Sequence, residues 1–221
     1  QIPLKHCVRH VLGENGGPGG LSHAFRSIPM MLDIARDVEA LAPNALVINF
    51  TNPMSRVCMA LHRHTSLQFV GLCHQIGEGY WLVNKALGLV KDTGDRATTQ
   101  RNAERRMRIT AAGLNHFTFI LDIRDRLTGA DLYPRLRERL AAMPLDFQLM
   151  SRRMLDTFGL FCAAGDGHAG EYVGFAAETM PLSGYDFDGY AARSAARWDE
   201  VRAVAEGRVQ PADRVIKTSG E

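Results

Sequence analysis

Two short apolar runs, each closed by polar residues and separated by one helix-length segment, constrain this chain most. Ala45-Leu46-Val47-Ile48-Asn49-Phe50 reads as a strand of the buried, parallel kind that stops at Thr51-Asn52-Pro53, since proline cannot continue a central strand. Leu67-Gln68-Phe69-Val70-Gly71-Leu72 reads as a second strand and ends in Cys73-His74. Between them Met54 to His64 has helical character, with Cys58 a small core residue and His62 and His64 on the surface. Ile76 to Leu89 reads as a further helix, interrupted early by Gly77 and Gly79. Strand, helix, strand, helix implies a parallel sheet with right-handed crossovers. In such sheets the carboxyl ends of the strands face the crevice where ligands bind. Asn52, Cys73 and His74 therefore stand where chemistry collects.

Upstream, Cys7 to Leu12 is compatible with helix or strand. It runs into Gly13-Glu14-Asn15-Gly16-Gly17-Pro18-Gly19-Gly20, a glycine-rich loop whose backbone can take positive φ and approach a ligand closely. The segment has no Gly-Lys-Ser/Thr and no Gly-x-Gly-x-x-Gly, so it is neither a P-loop nor a dinucleotide fingerprint. A surface loop and a ligand loop fit it equally. Ser22 to Leu41 is a helix on its apolar spacing (Ile28, Met31, Leu32, Ala35, Val38, Leu41), with a cap or kink at Ser27–Pro29.

Downstream, residues 90–106 are polar and read as an exposed connector. Met107 to Ala112 and Phe117 to Arg124 are β-like runs flanking Gly113-Leu114-Asn115-His116. Asp131 to Ala142 and Phe147 to Phe158 are amphipathic helices. Phe161 to Tyr172 reads as a loop carrying His168, Glu171 and Tyr172, and Tyr190 to Glu206 as a helix before a polar end.

Composition excludes several classes. Among 221 residues, 26 basic and 24 acidic side chains leave a net charge of +2, with the signs interspersed. Nucleic-acid binding usually needs a basic field, and none is present. No apolar run approaches a bilayer-spanning length and the start lacks a signal-peptide pattern, so no membrane partner is expected. Cys7, Cys58, Cys73 and Cys162 are scattered without a Cys-x-x-Cys, which argues against a disulfide framework or zinc ribbon and for a reducing, cytoplasmic compartment. Gln1 and the unclosed end at Glu221 suggest an interior piece of something longer.

Singly, a cysteine is more often a core residue and a histidine more often a structural hydrogen-bonder. Together, Asn52, Cys73-His74, Asn115-His116 and His168/Glu171/Tyr172 would bring a thiolate, imidazoles, amides and a phenol to one crevice. A thiolate and an imidazole make a soft divalent-metal half-site. Asn52 at its strand end remains either a turn residue or a ligand contact.

Five ordered motifs also carry a resemblance. Gly-Glu-Asn-Gly-Gly-Pro-Gly-Gly (13–20), Asn-Phe-Thr-Asn-Pro-Met (49–54), Gly-Leu-Cys-His (71–74), Gly-Leu-Asn-His-Phe (113–117) and Asp-x-His-x-x-Glu-Tyr (166–172) resemble glycoside hydrolase family 4, on its α-galactosidase, α-glucosidase and α-uronidase side. That resemblance implies an α/β fold: the C-terminal part of a Rossmann-like parallel sheet over 1–75, then a lactate/malate-dehydrogenase-like α+β catalytic domain over 76–221, truncated at its end. It implies hydrolysis of unphosphorylated α-glycosides or uronides by NAD-dependent oxidation at sugar C3, metal-assisted elimination and water addition, outside the usual two-carboxylate scheme.

Carried over by residue, Cys73 and His116 match metal ligands, with Mn²⁺ the ion. Asn52, Asn115, His168 and Glu171 match substrate-binding positions. Tyr172 is the candidate base at C2, which requires a metal or cation to lower its pKa, and His74 the group assisting the leaving oxygen. Asn15, Gly16, Gly17, Pro18 and Gly19 would lie beside the nicotinamide. The family's N-terminal Gly-x-Gly turn is not among these residues, so weak NAD binding is expected of the chain as it stands. The implied partners are a small carbohydrate and further copies in a homodimer or homotetramer. Two alternatives stay open: a 2-hydroxy-acid dehydrogenase on the same fold, with no role for Cys73, and an inactive truncated member of the family.

Overall fold

A computed structural model describes residues 2–8, 11–176 and 187–209. A short helix α1 (Ile2–Lys5) precedes α2 (Gly17–Leu41), β1 (Leu46–Asn49), α3 (Met54–His64), β2 (Gln68–Gly71) and α4 (Gln75–Leu87). Then follow α5 (Arg96–Arg106), β3 (Met107–Leu114), β4 (Phe117–Asp125), α6 (Tyr133–Ala141), α7 (Leu149–Phe158), β5 (Phe161–Cys162), α8 (Gly165–Tyr172) and α9 (Phe187–Ala205). The polar end expected from 210 onward lies outside the described residues.

β1 and β2 pair in parallel, Leu46 opposite Gln68 through Asn49 opposite Gly71, as the strand–helix–strand order requires. The pair is not buried on both faces. Val47 and Phe69 pack with Ala35 of α2 and Val57 and Leu61 of α3, while Leu46 and Ile48 on the opposite face are 60% and 52% exposed. Side chains alternate across a strand. Helices on one face alone therefore bury only every second residue.

The second sheet is antiparallel, in the order β3-β4-β5. β3 and β4 form a hairpin whose closing pair is Leu114 and Phe117, leaving Asn115-His116 as a two-residue turn. Its geometry needs special backbone: His116 has φ 63, and Gly113 has φ 145. A side chain on Gly113 would also strike the Phe117 carbonyl oxygen. The main core lies between this sheet and helices α4, α5 and α6, built from Leu82, Val83, Leu87, Met107, Ile120, Ile123, Leu136, Leu140 and Phe161. Each large apolar side chain so buried contributes about 1.5–3 kcal/mol.

Five expectations are corrected. The glycine-rich stretch is a loop only to Gly16; α2 begins at Gly17, with Pro18 in its first turn, where a missing N–H costs nothing. The cap expected at Ser27–Pro29 is not the helix start: α2 is capped at Gly16, and Pro29 lies inside it. Gly77 and Gly79 do not interrupt α4. They are buried in it because Gln100 and Ala163 pack directly on them, and a Cβ on Gly79 would lie 2.9 Å from that of Ala163.

The supposed connector 90–106 is largely helix α5, capped by Asp95, whose carboxylate accepts the Thr98 N–H, with Thr99 and Ala103 as its buried face. Its mean hydropathy is so low that only two small buried residues mark the packed side. The loop expected over 161–172 is strand β5 followed by helix α8. Asp166 in the first turn of α8 accepts hydrogen bonds from the Met150 and Ser151 N–H groups and so locks α8 to the start of α7.

Candidate active site

The end of β2, the β3–β4 turn, the loop after β1, the glycine-rich loop and α8 meet at one place. Cys73 Sγ and His116 Nε2 are 3.3 Å apart, although the residues are 43 apart in sequence. Gln75, in the first turn of α4, holds the turn: its Oε1 accepts the His116 backbone N–H at 2.6 Å. Helix α8 then lays His168 flat on His116, ring centroids 4.2 Å apart and planes 9° from parallel.

The residues expected on the substrate side gather around this pair. Tyr172 stacks on Phe117, and its hydroxyl donates to the Asn115 carbonyl at 2.9 Å. The half-buried Asn52, whose peptide bond to Pro53 is cis, donates from Nδ2 to Glu14 Oε1 at 2.7 Å. Its Oδ1 accepts the Met54 N–H, so both ends of the amide are oriented. His74 lies at the start of α4 with an exposed side chain. Glu14 Oε2 and Glu171 Oε2 stand 3.6 and 3.5 Å from His168 Nδ1.

Electrostatics separate the two stacked histidines. Burial, with His168 alongside, pushes His116 down to about 4, so its imidazole is neutral at pH 7 with a lone pair to give. Burial works against charge on His168 too, but the hydrogen bond to Glu171 and the carboxylates of Glu14, Glu171 and Glu78 outweigh it and raise its pKa. On Glu171 burial opposes ionisation, yet His168 and the loop amides lower its pKa overall. Burial, then the charge of Glu171, raises the Tyr172 phenol, with Arg56 pulling the other way. Without a bound cation, then, Tyr172 is a neutral phenol; the lowered pKa that a base role requires is not supplied by the protein's own charges.

Several buried polar atoms here have no hydrogen-bond partner in the protein: His116 Nδ1, Asn115 Oδ1 and Gln75 Nε2. Buried polar atoms are almost always satisfied, so this cluster fits a polar ligand and a cation. Glu14, His116 and His168 each offer a ligand atom within 4.8 Å of the other two. Cys73 joins through His116 instead. The expected metal pair is thus brought together, and Glu14 and His168 stand beside it. Glu14 and Gln75 received no individual role from the sequence. An acid inside the glycine stretch was the available signal for the first; nothing local marked the second.

The cofactor-side expectation meets a different geometry. Asn15 is buried, and its backbone N–H and Nδ2 both donate to Glu171. A Cβ on Gly16 would lie 2.5 Å from the Glu171 carbonyl oxygen, one on Gly19 2.7 Å from that of Gly13, and one on Gly20 2.5 Å from the Asn15 carbonyl carbon. Those glycines let the loop fold against α8 and against itself. Of the expected set, Gly17 and Pro18 are exposed, Gly16 and Gly19 half-buried and Asn15 buried.

A thiol and an imidazole paired at strand ends, among amides, carboxylates and a phenol, thus form one cluster on an α/β scaffold. The chain belongs to the family 4 glycosyl hydrolases: the family's own model matches residues 1–89 and the model of its C-terminal domain residues 111–217. It is 36% identical over 169 residues to an alpha-glucosidase of Erwinia rhapontici, covering 72% of this chain and 34% of that protein. It is 30% identical over 174 residues to an alpha-galactosidase of Bacillus subtilis (78% and 37%) and 40% identical over 144 residues to a 6-phospho-beta-glucosidase of Escherichia coli (64% and 28%).

The chain therefore spans about a third of the length of these curated relatives. In three dimensions it matches lplD of Bacillus subtilis with a TM-score of 0.69 at 24% identity, over 93% of this chain and 51% of that one. A 6-phospho-alpha-glucosidase from gut microorganisms, solved with NAD and Mn²⁺, matches with 0.65 at 22% identity, over 93% and 47%. Both bear out the α/β fold. Among the described residues, no helix is long and apolar enough to cross a membrane.

Proposed function

We propose that the chain forms the metal- and sugar-binding part of a glycosidase acting on unphosphorylated α-glycosides or uronides. The observation that carries this reading is the Cys73–His116 pair, held at 3.3 Å beside buried polar atoms without protein partners. Bound NAD⁺ would supply a hydride acceptor for sugar C3, and a divalent metal, Mn²⁺ by preference, a Lewis acid for the C2 and C3 oxygens. Cys73 and His116 would hold the metal. Asn52 and Asn115 would orient sugar hydroxyls, Asn52 being fixed by Glu14 and the Met54 N–H. With a cation bound alongside to lower its pKa, Tyr172 would first lose its own proton to solvent, and its phenolate oxygen would then take the C2 proton. His74, exposed at the start of α4, would protonate the leaving oxygen.

The preference for unphosphorylated substrates is supported by His74 directly after Cys73, and by the Glu14 and Glu171 carboxylates, which would repel a phosphate. The relatives include both an alpha-glucosidase and a 6-phospho-beta-glucosidase, so the family alone does not choose between the two kinds. A domain boundary at 75/76 is part of the same reading. It is supported by packing: α2, α3, β1 and β2 pack on one another, while α4 packs on α5, α6 and α8. A cytoplasmic homodimer or homotetramer completes it.

The test is a panel of aryl α-glycosides, aryl α-uronides and their 6-phosphorylated counterparts, offered to the full-length protein with Mn²⁺ and NAD⁺. Turnover of the unphosphorylated compounds that requires both additions is expected. Turnover confined to phosphorylated substrates would overturn the substrate class, and turnover independent of NAD⁺ would overturn the mechanism.

A further inference from the structure

Glu171 sits one residue before the candidate base, in a motif where a carboxylate invites a substrate-binding role. Its geometry says otherwise. The side chain is 1% exposed. Oε1 accepts two backbone N–H groups, from Glu14 and from Asn15, the latter at 2.9 Å. Oε2 accepts Asn15 Nδ2 at 3.2 Å and faces His168 Nδ1 at 3.5 Å. The sequence separation is 156 to 157 residues, so this one carboxylate joins the first and last thirds of the chain.

The loop is shaped to receive it. Gly16 must lack a side chain because the Glu171 carbonyl oxygen fills that space. With the Glu14 and Asn15 amides pinned, the Glu14 carboxylate points to Asn52 on one side and His168 on the other. Carboxylates accepting several N–H bonds make strong, directional anchors, and a buried anchor is far costlier to lose than an exposed one.

We infer that Glu171 is a positioning residue: its buried carboxylate clamps the glycine-rich loop onto the last turn of α8, and so sets where Glu14 and Asn52 stand relative to His168 and Tyr172. The clamp is a structural claim. Only its consequence for turnover rests on the glycosidase reading.

A charge swap tests it on the whole protein. Glu171→Ala removes the acceptor. Asn15→Asp places two carboxylates against each other, and Asn15→Asp combined with Glu171→Gln restores an amide–carboxylate pair with its polarity reversed. Hydrogen–deuterium exchange of residues 11–20 is the primary measurement. Exchange there should rise by about tenfold or more in Glu171→Ala and Asn15→Asp, as a locally opened segment shows. The β3–β4 hairpin should keep its protection, and the double variant should return the loop to within about threefold of the parent.

Where the parent turns over a glycoside, kcat should fall and recover in the same order, with KM moving less. Unchanged loop exchange in the single variants, or a double variant no better than Asn15→Asp, overturns the clamp. Loss of protection spread equally over the hairpin also overturns it, because that marks general destabilisation. If Glu171→Ala fails to fold, the other two variants decide the matter. A parent without glycosidase activity would sink the proposed function and leave the exchange test intact.

Discussion

The Sγ of Cys73 and the Nε2 of His116 lie 3.3 Å apart, one at the end of a parallel strand and the other in an antiparallel hairpin turn. Neither sheet alone makes the pair. Gln75 connects them: it is two residues after Cys73, and it binds the backbone N–H of His116. The thiol, the imidazole and the positive φ of His116 thus form one unit.

From that unit follows the metal prediction. Cys73→Ser should weaken Mn²⁺ binding by more than the about 10- to 100-fold that loss of a supporting partner costs, since a hydroxyl is a poor replacement for a thiolate. The paramagnetic resonance signal of free Mn²⁺ during titration reads the affinity directly. Equal affinity in the variant would remove Cys73 from the site.

His116 makes stability fall in mild acid. Its pKa in the folded protein is lowered to about 4, against an ordinary value near 6.5. Between these values the unfolded chain takes up a proton that the native state refuses. Stability is therefore complete above about pH 6.5 and is lost as pH drops toward 4, by about 3 kcal/mol in all for this group. In metal-free protein, urea unfolding at pH 7 and pH 4.5 should show a larger loss for the parent than for His116→Gln. Identical losses would contradict the depressed pKa.

Tyr133 bridges a helix to the second sheet. Its hydroxyl accepts the Phe161 N–H at 2.7 Å and donates to the Ile120 carbonyl at 2.8 Å, in a buried setting. Tyr133→Phe keeps the ring and strands both groups. A stability loss of about 1–3 kcal/mol is expected by denaturant unfolding, with the cofactor-independent fold preserved. A neutral result would mean that water or a local shift satisfies Phe161 and Ile120.

Local pattern revealed the secondary elements where a strong apolar period existed, as in α2, α3 and the β3–β4 hairpin. It failed where the packed face was small. Helix α5 buries only Thr99 and Ala103, and α8 buries Gly165, Ala169 and Gly170, so neither shows an apolar stripe. Sequence alone determined the polar residues at the strand ends, their order, and the family they resemble, because those depend on residue type and short spacing. Tertiary structure decided where each stands. It set Cys73 against His116, hydrogen-bonded Asn15 to Glu171, and left one face of the parallel pair open. These outcomes depend on contacts between residues up to 157 positions apart. A periodicity of two or 3.6 residues carries no information at that range.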